Sequence, residues 1–387
     1  MPGRARNFLS RFSLSTFFSL KESGVILVFT VAFSLSSFGC SSVINPETES
    51  RPAAYAPEAH PGVVRILTIN IWSGLDYNGL IKMGHYGDDD PERRYRMLVS
   101  GIRRLDPDVI AVQEANPLPR YAERLASDLG YDAVWRVSDG GFRFGDVGFP
   151  VNLRQGEVIL VKKPWKLEDL GERQLSGSVV CTNWFCAQAG EIRKAMLVRA
   201  VIGGKPLYIY GVHLHAGLFY GPTLDKSVEM LRAKASAARI AEEVRGAEKD
   251  IARRRHEVAG LKKFIDETLP QDAPAILLGC FNTDTGSGDL DPLISDGSWI
   301  DTFRLVNPEK TGYTWDPAHD PNFHPAGPAR FCDRLCTYQE EMPMRLDFIF
   351  INREIPKESV INSRVVFKPI SGMAVSDHYG VMTEVRW

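Results

Sequence analysis

Two β-sheets packed together with helices outside them is the fold class this sequence predicts. Two observations carry it. From Val63 onward, short runs rich in β-branched residues recur between turn residues, about ten of them, each of strand length. Amphipathic stretches lie among them without strict strand–helix alternation, and that combination points to two packed sheets. The chain has 387 residues, 44% of them hydrophobic and 24% charged, an ordinary globular composition.

The first forty residues stand apart. Arg4, Arg6, Arg11 and Lys21 precede an apolar run from Gly24 to Phe38, which is short of the ~20 residues of a spanning helix. A basic start, a short apolar stretch and a small residue before a break have the form of a secretory signal. The run ends Ser-Ser-Phe-Gly-Cys-Ser-Ser, similar to a bacterial lipoprotein signal cut before Cys40, which would carry the lipid. Gly39 fits that motif and Ser37 does not. An ordinary secretory signal and an uncleaved anchor are the other two readings. Residues 1–39 are thus expected to be a signal and 40–61, rich in Pro, Ala, Glu and Ser, a flexible tether. Residues 62–387 form one domain. The leader holds four basic residues and one acid, Glu22, so its removal takes the formal charge from −2 to −5. That balance counts against a nucleic-acid binder, which needs a basic surplus to neutralise phosphates.

Strands are expected at Val63–Asn70, Val109–Gln113, Ala133–Val137, Glu157–Val161, Ala195–Ile202 and Leu207–His213. Ala275–Gly279, Leu346–Ile351, Ser363–Phe367 and Val381–Val385 complete the set. A helix over Pro91–Leu105 opens with Pro at its first position after Asp88–Asp90. A second, Leu118–Leu129, stops at Gly130. From Thr223 to Leu269 apolar residues recur at three- and four-residue steps, with an interruption expected at Gly246. Arg253–Arg255 in that segment reads as a solvated helix face, with a phosphate-binding patch as the alternative.

Of the six cysteines, Cys181 and Cys186 are five apart, and Cys332 and Cys336 four apart. Their polar surroundings favour two small disulfide loops over four reduced core thiols, and the spacings do not match zinc knuckles. Cys280 is left single.

Polar side chains end several of the apolar runs. Asn70 closes Thr-Ile-Asn, Glu114 closes Val-Gln-Glu, His213 opens His-Leu-His-Ala, and Asn282 follows Leu-Leu-Gly-Cys-Phe. Asp347 sits in Arg-Leu-Asp-Phe-Ile-Phe-Ile and Asp377–His378 in Val-Ser-Asp-His-Tyr-Gly. Acid, amide and imidazole groups at strand ends in this order suggest metal-assisted phosphoester hydrolysis. A cation neutralises charge on the phosphoryl oxygens while side chains place water in line with the leaving group.

Taken together, these segments resemble the endonuclease/exonuclease/phosphatase superfamily over about Val63 to Trp387. The resemblance implies a four-layer α/β sandwich of two mixed β-sheets flanked by helices. Within the superfamily, His-Leu-His-Ala-Gly and Gly-Tyr-Thr-Trp-Asp-Pro (Gly312–Pro317) look most like the neutral sphingomyelinase branch, which releases a phosphorylated headgroup from a phosphodiester. The resemblance implies a Mg²⁺, or another divalent cation, held mainly by Glu114 with help from Asn70 and Asp377; hard oxygen donors suit that ion. It implies His378 at the scissile phosphate, oriented by Asp347, an acid that needs a partner inside an apolar strand. His213 would donate to the phosphoryl oxygens, and Asn282 would hydrogen-bond the phosphate and orient the nucleophile. His215 either lines the same cleft or is a satisfied structural histidine.

One position departs from the family pattern. Where the family has Gly-Asp-x-Asn, this chain has Gly279-Cys280-Phe281-Asn282. A thiol with an ordinary pKa of about 8.5 is a poor base for water, and a missing general base costs on the order of 10²–10⁴ in rate. The chain is therefore a hydrolase slowed by Cys280, or a headgroup-binding protein on a hydrolase fold, or a hydrolase whose aspartate has been replaced in this sequence. Cys280 is expected on the cleft floor beside Asn282, not in the core, and Asp284 lies past the strand end.

The implied partner is a phosphodiester, with a lipid in the membrane that the Cys40 anchor would reach as one candidate, and the implied form is a monomer at the cell envelope or secreted. Phe142, Phe144, Phe149, Trp184, Phe185, Leu218, Phe219 and Tyr220 are the aromatic and apolar loop residues that could meet a bilayer. Packing over the cleft or into the core is the alternative for them.

Overall fold

The computed structural model describes residues 62–73, 90–138, 154–181, 185–322 and 339–387, together with short strands at 75–76, 84–85, 142–144 and 147–149. The expected signal, the tether with Cys40, Trp184, and Cys332 and Cys336 lie outside the described residues.

In chain order, β1 (Val63–Asn70) is followed by the two-residue strands β2 (Leu75–Asp76) and β3 (Gly84–His85), then α1 (Pro91–Leu105) and β4 (Val109–Ala115). Next come α2 (Arg120–Leu129), β5 (Tyr131–Val137), β6 (Phe142–Phe144), β7 (Val147–Phe149) and β8 (Gly156–Lys162). The long hairpin of β9 (Lys166–Cys181) and β10 (Phe185–Ile202) leads to β11 (Lys205–His213), α3 (Pro222–Arg232) and α4 (Ala237–Thr268). Then follow β12 (Ala275–Cys280), α5 (Asp291–Ile294), β13 (Trp299–Asp301) and α6 (Thr302–Val306). β14 (Asp347–Asn352), β15 (Val360–Val366) and β16 (Gly380–Arg386) close the chain.

The strands form two mixed sheets. One runs β15-β16-β1-β4-β8-β5; the other runs β13-β14-β12-β11-β10-β6-β7, with β9 paired to β10. In each sheet one central pair is parallel, β1 with β4 and β11 with β12, and its other pairings are antiparallel. The inner faces meet in a core of Ile66, Ala111, Ile159, Val198, Ile209, Leu278 and Ile349. The outer face of the first sheet buries Leu67, Ile69 and Val112 against Leu98 and Ile102 of α1 and Leu125 of α2. The outer face of the second buries Val212, Phe281 and Phe348 with Val258, Leu261 and Phe264 of α4. Strand alternation thus builds the four layers of the expected sandwich, since every second residue faces the opposite side.

Helix starts follow ordinary capping chemistry. Asp90 Oδ1 accepts from Arg93 N at 2.9 Å, with Pro91 at the first helical position. α2 ends at Gly130, which takes a left-handed φ of 76°. The interruption expected at Gly246 is displaced. The break falls between Arg232 and Ala237, where the Ser236 side chain accepts from Arg239 N, and α4 runs through Gly246. A Cβ at Gly246 would meet nothing within 4 Å, so this glycine lies on an open face that costs helix propensity and no packing. Cys181 and Cys186 are directly paired Cα partners across the β9–β10 hairpin, as a loop-closing bond would need; their side chains are outside the described residues.

Candidate active site

The site is built at one end of the sandwich. Parallel β11 and β12 put His213 opposite Cys280, and antiparallel β12 and β14 put Cys280 opposite Asp347. Their neighbours Val212, Phe281 and Phe348 belong to the outer cluster under α4. By alternation, His213, Cys280 and Asp347 form one row on the inner face. Gly279 allows this row. Its φ is 146°, and a Cβ there would lie 1.9 Å from Val212 O, so only glycine lets β12 reach β11 here.

On the facing sheet, Asn70 ends β1 opposite Gln113 of β4. The β4–β8 register shifts between Val112 and Ala115, and Glu114 within that bulge has a φ of 61°. Such a bulge re-aims one side chain. Here it turns Glu114 so that Oε1 accepts from Asn70 Nδ2 at 2.9 Å and Oε2 from Ser73 N at 3.1 Å. Glu114 also lines an open groove of about 370 Å³ with Trp72, Arg94, Tyr95 and Tyr121.

The segment before β16 closes the site. His378 Nδ1 lies 2.9 Å from Asp347 Oδ2, with both residues buried, as expected for an oriented imidazole. Burial alone would push the His378 ring toward its neutral form. The charge and hydrogen bond of Asp347, helped by Asp377 and Glu114, outweigh it and hold the ring up at about 9. The ring packs edge-on to Trp315 with centroids 5.1 Å apart. Arg345 is elsewhere engaged, its Nη2 donating to Asp301 Oδ2 at 2.6 Å. Burial, with the negative charges of Glu114 and Asp320, pushes Asp377 up to about 7 against the opposing charge of His378. A buried acid whose ionisation the charge of Glu114 disfavours, with hard oxygens around it, fits a divalent cation. Glu114, Asp377 and Asn70 are the residues that would hold it.

Several expectations need correction. Cys280 stands beside the dyad as expected, but it has no exposed surface and packs among Phe219, Met344, Leu346 and Trp315. It belongs to a small apolar cluster under the cleft and not to an open floor. Burial, then the charge of Asp347, pushes its thiol well above the ordinary range, so it stays protonated at neutral pH and is less available as a base than the sequence alone implies. Asn282, with a φ of 52°, donates Nδ2 to Leu214 O at 2.8 Å, so one amide hydrogen is taken by the backbone. Asp284 accepts from Gly286 N at 2.9 Å beyond β12 and does not take the place of the missing acid. His215 falls past the end of β11 and is structural: its Nε2 lies 3.1 Å from Asp250 Oδ1 and its backbone N donates to Glu257. Leu218 and Phe219 are buried, and Tyr220 beside them is exposed.

The Arg253–Arg255 cluster is only in part the expected solvated face: Arg255 is exposed and Arg253 half-buried, and the middle arginine departs from it. Arg254 is fully buried, pairs with Asp289 Oδ2 at 2.9 Å and donates to the carbonyls of His215 and Leu218. It ties α4 to the loop that follows His213. Three other residues escaped the sequence reading. Arg94 of α1 donates to Ile71 O, Trp72 O and Val375 O, fastening the Asp377–His378 segment to the end of β1. Thr314 accepts from Leu346 N and Asp347 N through its hydroxyl, and its carbonyl accepts from Tyr379 N. Glu157 is buried 3.9 Å from His213 Nδ1 and accepts from Ser138; burial pushes it up to about 7. Its place at the head of an apolar strand was the one signal available.

The model of the endonuclease/exonuclease/phosphatase family matches residues 67–378. The chain belongs to that family. A family member from Bacteroides thetaiotaomicron superposes with a TM-score of 0.50 at 17% identity, covering 84% of this chain and 98% of that one. A mannosyl-6-phosphatase from Bacteroides thetaiotaomicron VPI-5482 gives 0.50 at 18%, covering 84% and 100%. TDP2 of D. rerio, complexed with a single-strand DNA product, gives 0.49 at 16%, covering 83% and 98%. At these identities the likeness shows the fold. No curated protein matches the chain.

Proposed function

We propose that this chain is a divalent-cation-dependent phosphodiester hydrolase that turns over slowly. The carrying observation is the buried His378–Asp347 pair at 2.9 Å, with Asp347 in the same strand-end row as His213 and the charges of Asp377 and Glu114 acting on the ring. A bound Mg²⁺ would supply charge neutralisation at the phosphoryl oxygens. His378, kept protonated, presents an N–H to the phosphate, and Asp347 fixes which ring nitrogen does so. His213 adds a second donor from the neighbouring strand. Asn282 orients the attacking water with its remaining polar atoms. No carboxylate stands at position 280 to draw the proton from that water, and this makes the reaction slow.

The substrate class we favour is a lipid phosphodiester of the sphingomyelin type, with the chain at the cell envelope through a Cys40 anchor. Gly-Tyr-Thr-Trp-Asp-Pro and the leader of residues 1–39 support that reading. The experiment is a panel of sphingomyelin, phosphatidylinositol, bis-nitrophenyl phosphate, mannose 6-phosphate and DNA, with and without Mg²⁺. Mg²⁺-dependent release from the diesters that vanishes in His378→Ala supports the proposal. Release only from the sugar phosphate or DNA moves the chain to another branch of the family.

A second reading has its own observation. Cys280 is wholly buried with its thiol pushed up, so the position supplies no base at neutral pH. A headgroup-binding protein without turnover needs none. Calorimetric binding of phosphocholine with no hydrolysis of any diester supports that reading over the first.

A further inference from the structure

Cys280, Asp347 and His378 each offer one ligand atom, and these atoms lie within 4.8 Å of one another. All three residues are more than nine-tenths buried, at 0%, 1% and 6% exposure. One atom of the trio has no counterpart: Asp347 Oδ2 meets the His378 ring, while Oδ1 is buried with no hydrogen-bond partner among the described residues. A buried anionic oxygen without a donor is expensive, and a cation is one of the few things that would relieve it.

The donor set is mixed. Sulfur, imidazole nitrogen and carboxylate oxygen at these separations do not suit Mg²⁺, which takes oxygen ligands and keeps its waters. They suit Zn²⁺, bound through sulfur at about 2.3 Å and through nitrogen or oxygen at about 2.0–2.2 Å. Three protein ligands leave one position of a tetrahedral ion open. Soft thiolate donors also disfavour the hard cations. The oxygen donors Asn70 and Glu114 come from β1 and β4 of the other sheet, and Asp377 from the segment before β16.

We propose that Cys280, Asp347 and His378 form a site for a thiophilic divalent cation of the Zn²⁺ class, and that filling it switches off the His378–Asp347 dyad. On binding, the Cys280 S–H bond and one ring N–H bond of His378 break, both protons go to solvent, and the freed sulfur and nitrogen lone pairs form the bonds to the cation. A neutral imidazole has one ring lone pair. Once that pair is given to a cation, the ring can neither accept nor return a proton, so a metal-bound His378 cannot act on substrate. The inhibitory half rests on the function proposed above; the binding half does not.

Cobalt is the test ion, since a thiolate on Co²⁺ gives a near-ultraviolet charge-transfer absorption. Titrating the metal-free full chain with Co²⁺ is expected to give that absorption, saturating at one equivalent, displaced by Zn²⁺ and unaffected by excess Mg²⁺. Cys280→Ser is expected to lose it. No absorption, or the same absorption in Cys280→Ser from the other cysteines, overturns the site. Should Cys280→Ser fail to fold, zinc-edge anomalous diffraction on the unmodified chain decides: an ion within bonding distance of Cys280 Sγ supports the proposal, and an ion elsewhere or none overturns it. Micromolar Zn²⁺ is also expected to cut any Mg²⁺-dependent hydrolysis at least ten-fold. Binding without that loss overturns only the inhibitory half. An absence of hydrolysis in Mg²⁺ alone counts against the proposed function and leaves the cobalt result standing.

Discussion

At the residue scale the site turns on two neighbours in the same strand row, Asp347 and Cys280. Asp347 holds the His378 ring at about 9, above its ordinary 6.5, despite burial that opposes the charge. A histidine raised in the folded state adds stability that is fully present below its unfolded pKa and is lost as pH rises through the folded one. The window therefore runs from about 6.5 to about 9. Wild type should exceed Asp347→Asn in melting temperature at pH 6, and the gap should shrink steadily by pH 9.5. A gap independent of pH, followed by calorimetry, would show that Asp347 stabilises by packing and not through the ring. Cys280 gives the complementary prediction. Cys280→Asp restores a water-orienting carboxylate and should raise Mg²⁺-dependent turnover at least ten-fold, against a general-base contribution on the order of 10²–10⁴. Its melting temperature should fall, because the new charge enters a cluster with Phe219, Met344, Leu346 and Trp315. Unchanged turnover in a folded variant would place the base elsewhere.

At the element scale, the site depends on ties between pieces that carry no catalytic side chain. Arg254 of α4 reaches the carbonyls of His215 and Leu218 and pairs with Asp289 while wholly buried. Removing one partner of such a pair leaves an uncompensated charge and typically costs about 3–5 kcal/mol. Arg255 Nε also meets Asp289, at 3.1 Å, so Arg254→Met should fall near the lower end, about 3 kcal/mol by urea unfolding. A loss under about 1 kcal/mol would mean that Arg255 alone satisfies Asp289. This tie was illegible in the sequence for a physical reason. Arg253–Arg255 looks like a polar helix stripe, and only the tertiary position of Asp289 makes the middle arginine a buried strut. β9 was missed for a similar reason: Lys-Leu-Glu-Asp-Leu-Gly-Glu-Arg-Gln-Leu has few β-branched residues, and it is a strand because β10 pairs with it along most of its length. The strands buried on both faces were readable from their apolar runs. So was α1, whose Asp90 cap and Pro91 start are local signals. The dyad was readable as well, because an acid in Arg-Leu-Asp-Phe-Ile demands a partner. The surroundings of Cys280 were not, since Phe219 and Trp315 reach it from loops distant in sequence.

At the scale of the whole molecule, neither sheet holds a complete site. Asn70, Glu114 and the Asp377–His378 segment come from the six-stranded sheet and its edge, while His213, Cys280 and Asp347 come from the eight-stranded one. The inner core between the sheets fixes the distance across the cleft. A cation held by Glu114 and Asp377 binds the folded sandwich and has no formed site in the unfolded chain, so it must raise stability by mass action, by about 2.7 kcal/mol at one hundred times its dissociation constant. Mg²⁺ should therefore raise the melting temperature of the wild type in a concentration-dependent way. Glu114→Gln keeps the shape of the side chain but removes its charge and one of the two acceptors that meet Asn70 Nδ2 and Ser73 N, so it should melt somewhat below the wild type without Mg²⁺ and lose the Mg²⁺ shift. With the Glu114 charge gone, one cause that pushes Asp377 up is removed, and its titration should move down from about 7. An unaltered Mg²⁺ shift in Glu114→Gln, read by scanning fluorimetry, would put the cation elsewhere in the cleft and remove Glu114 from the site.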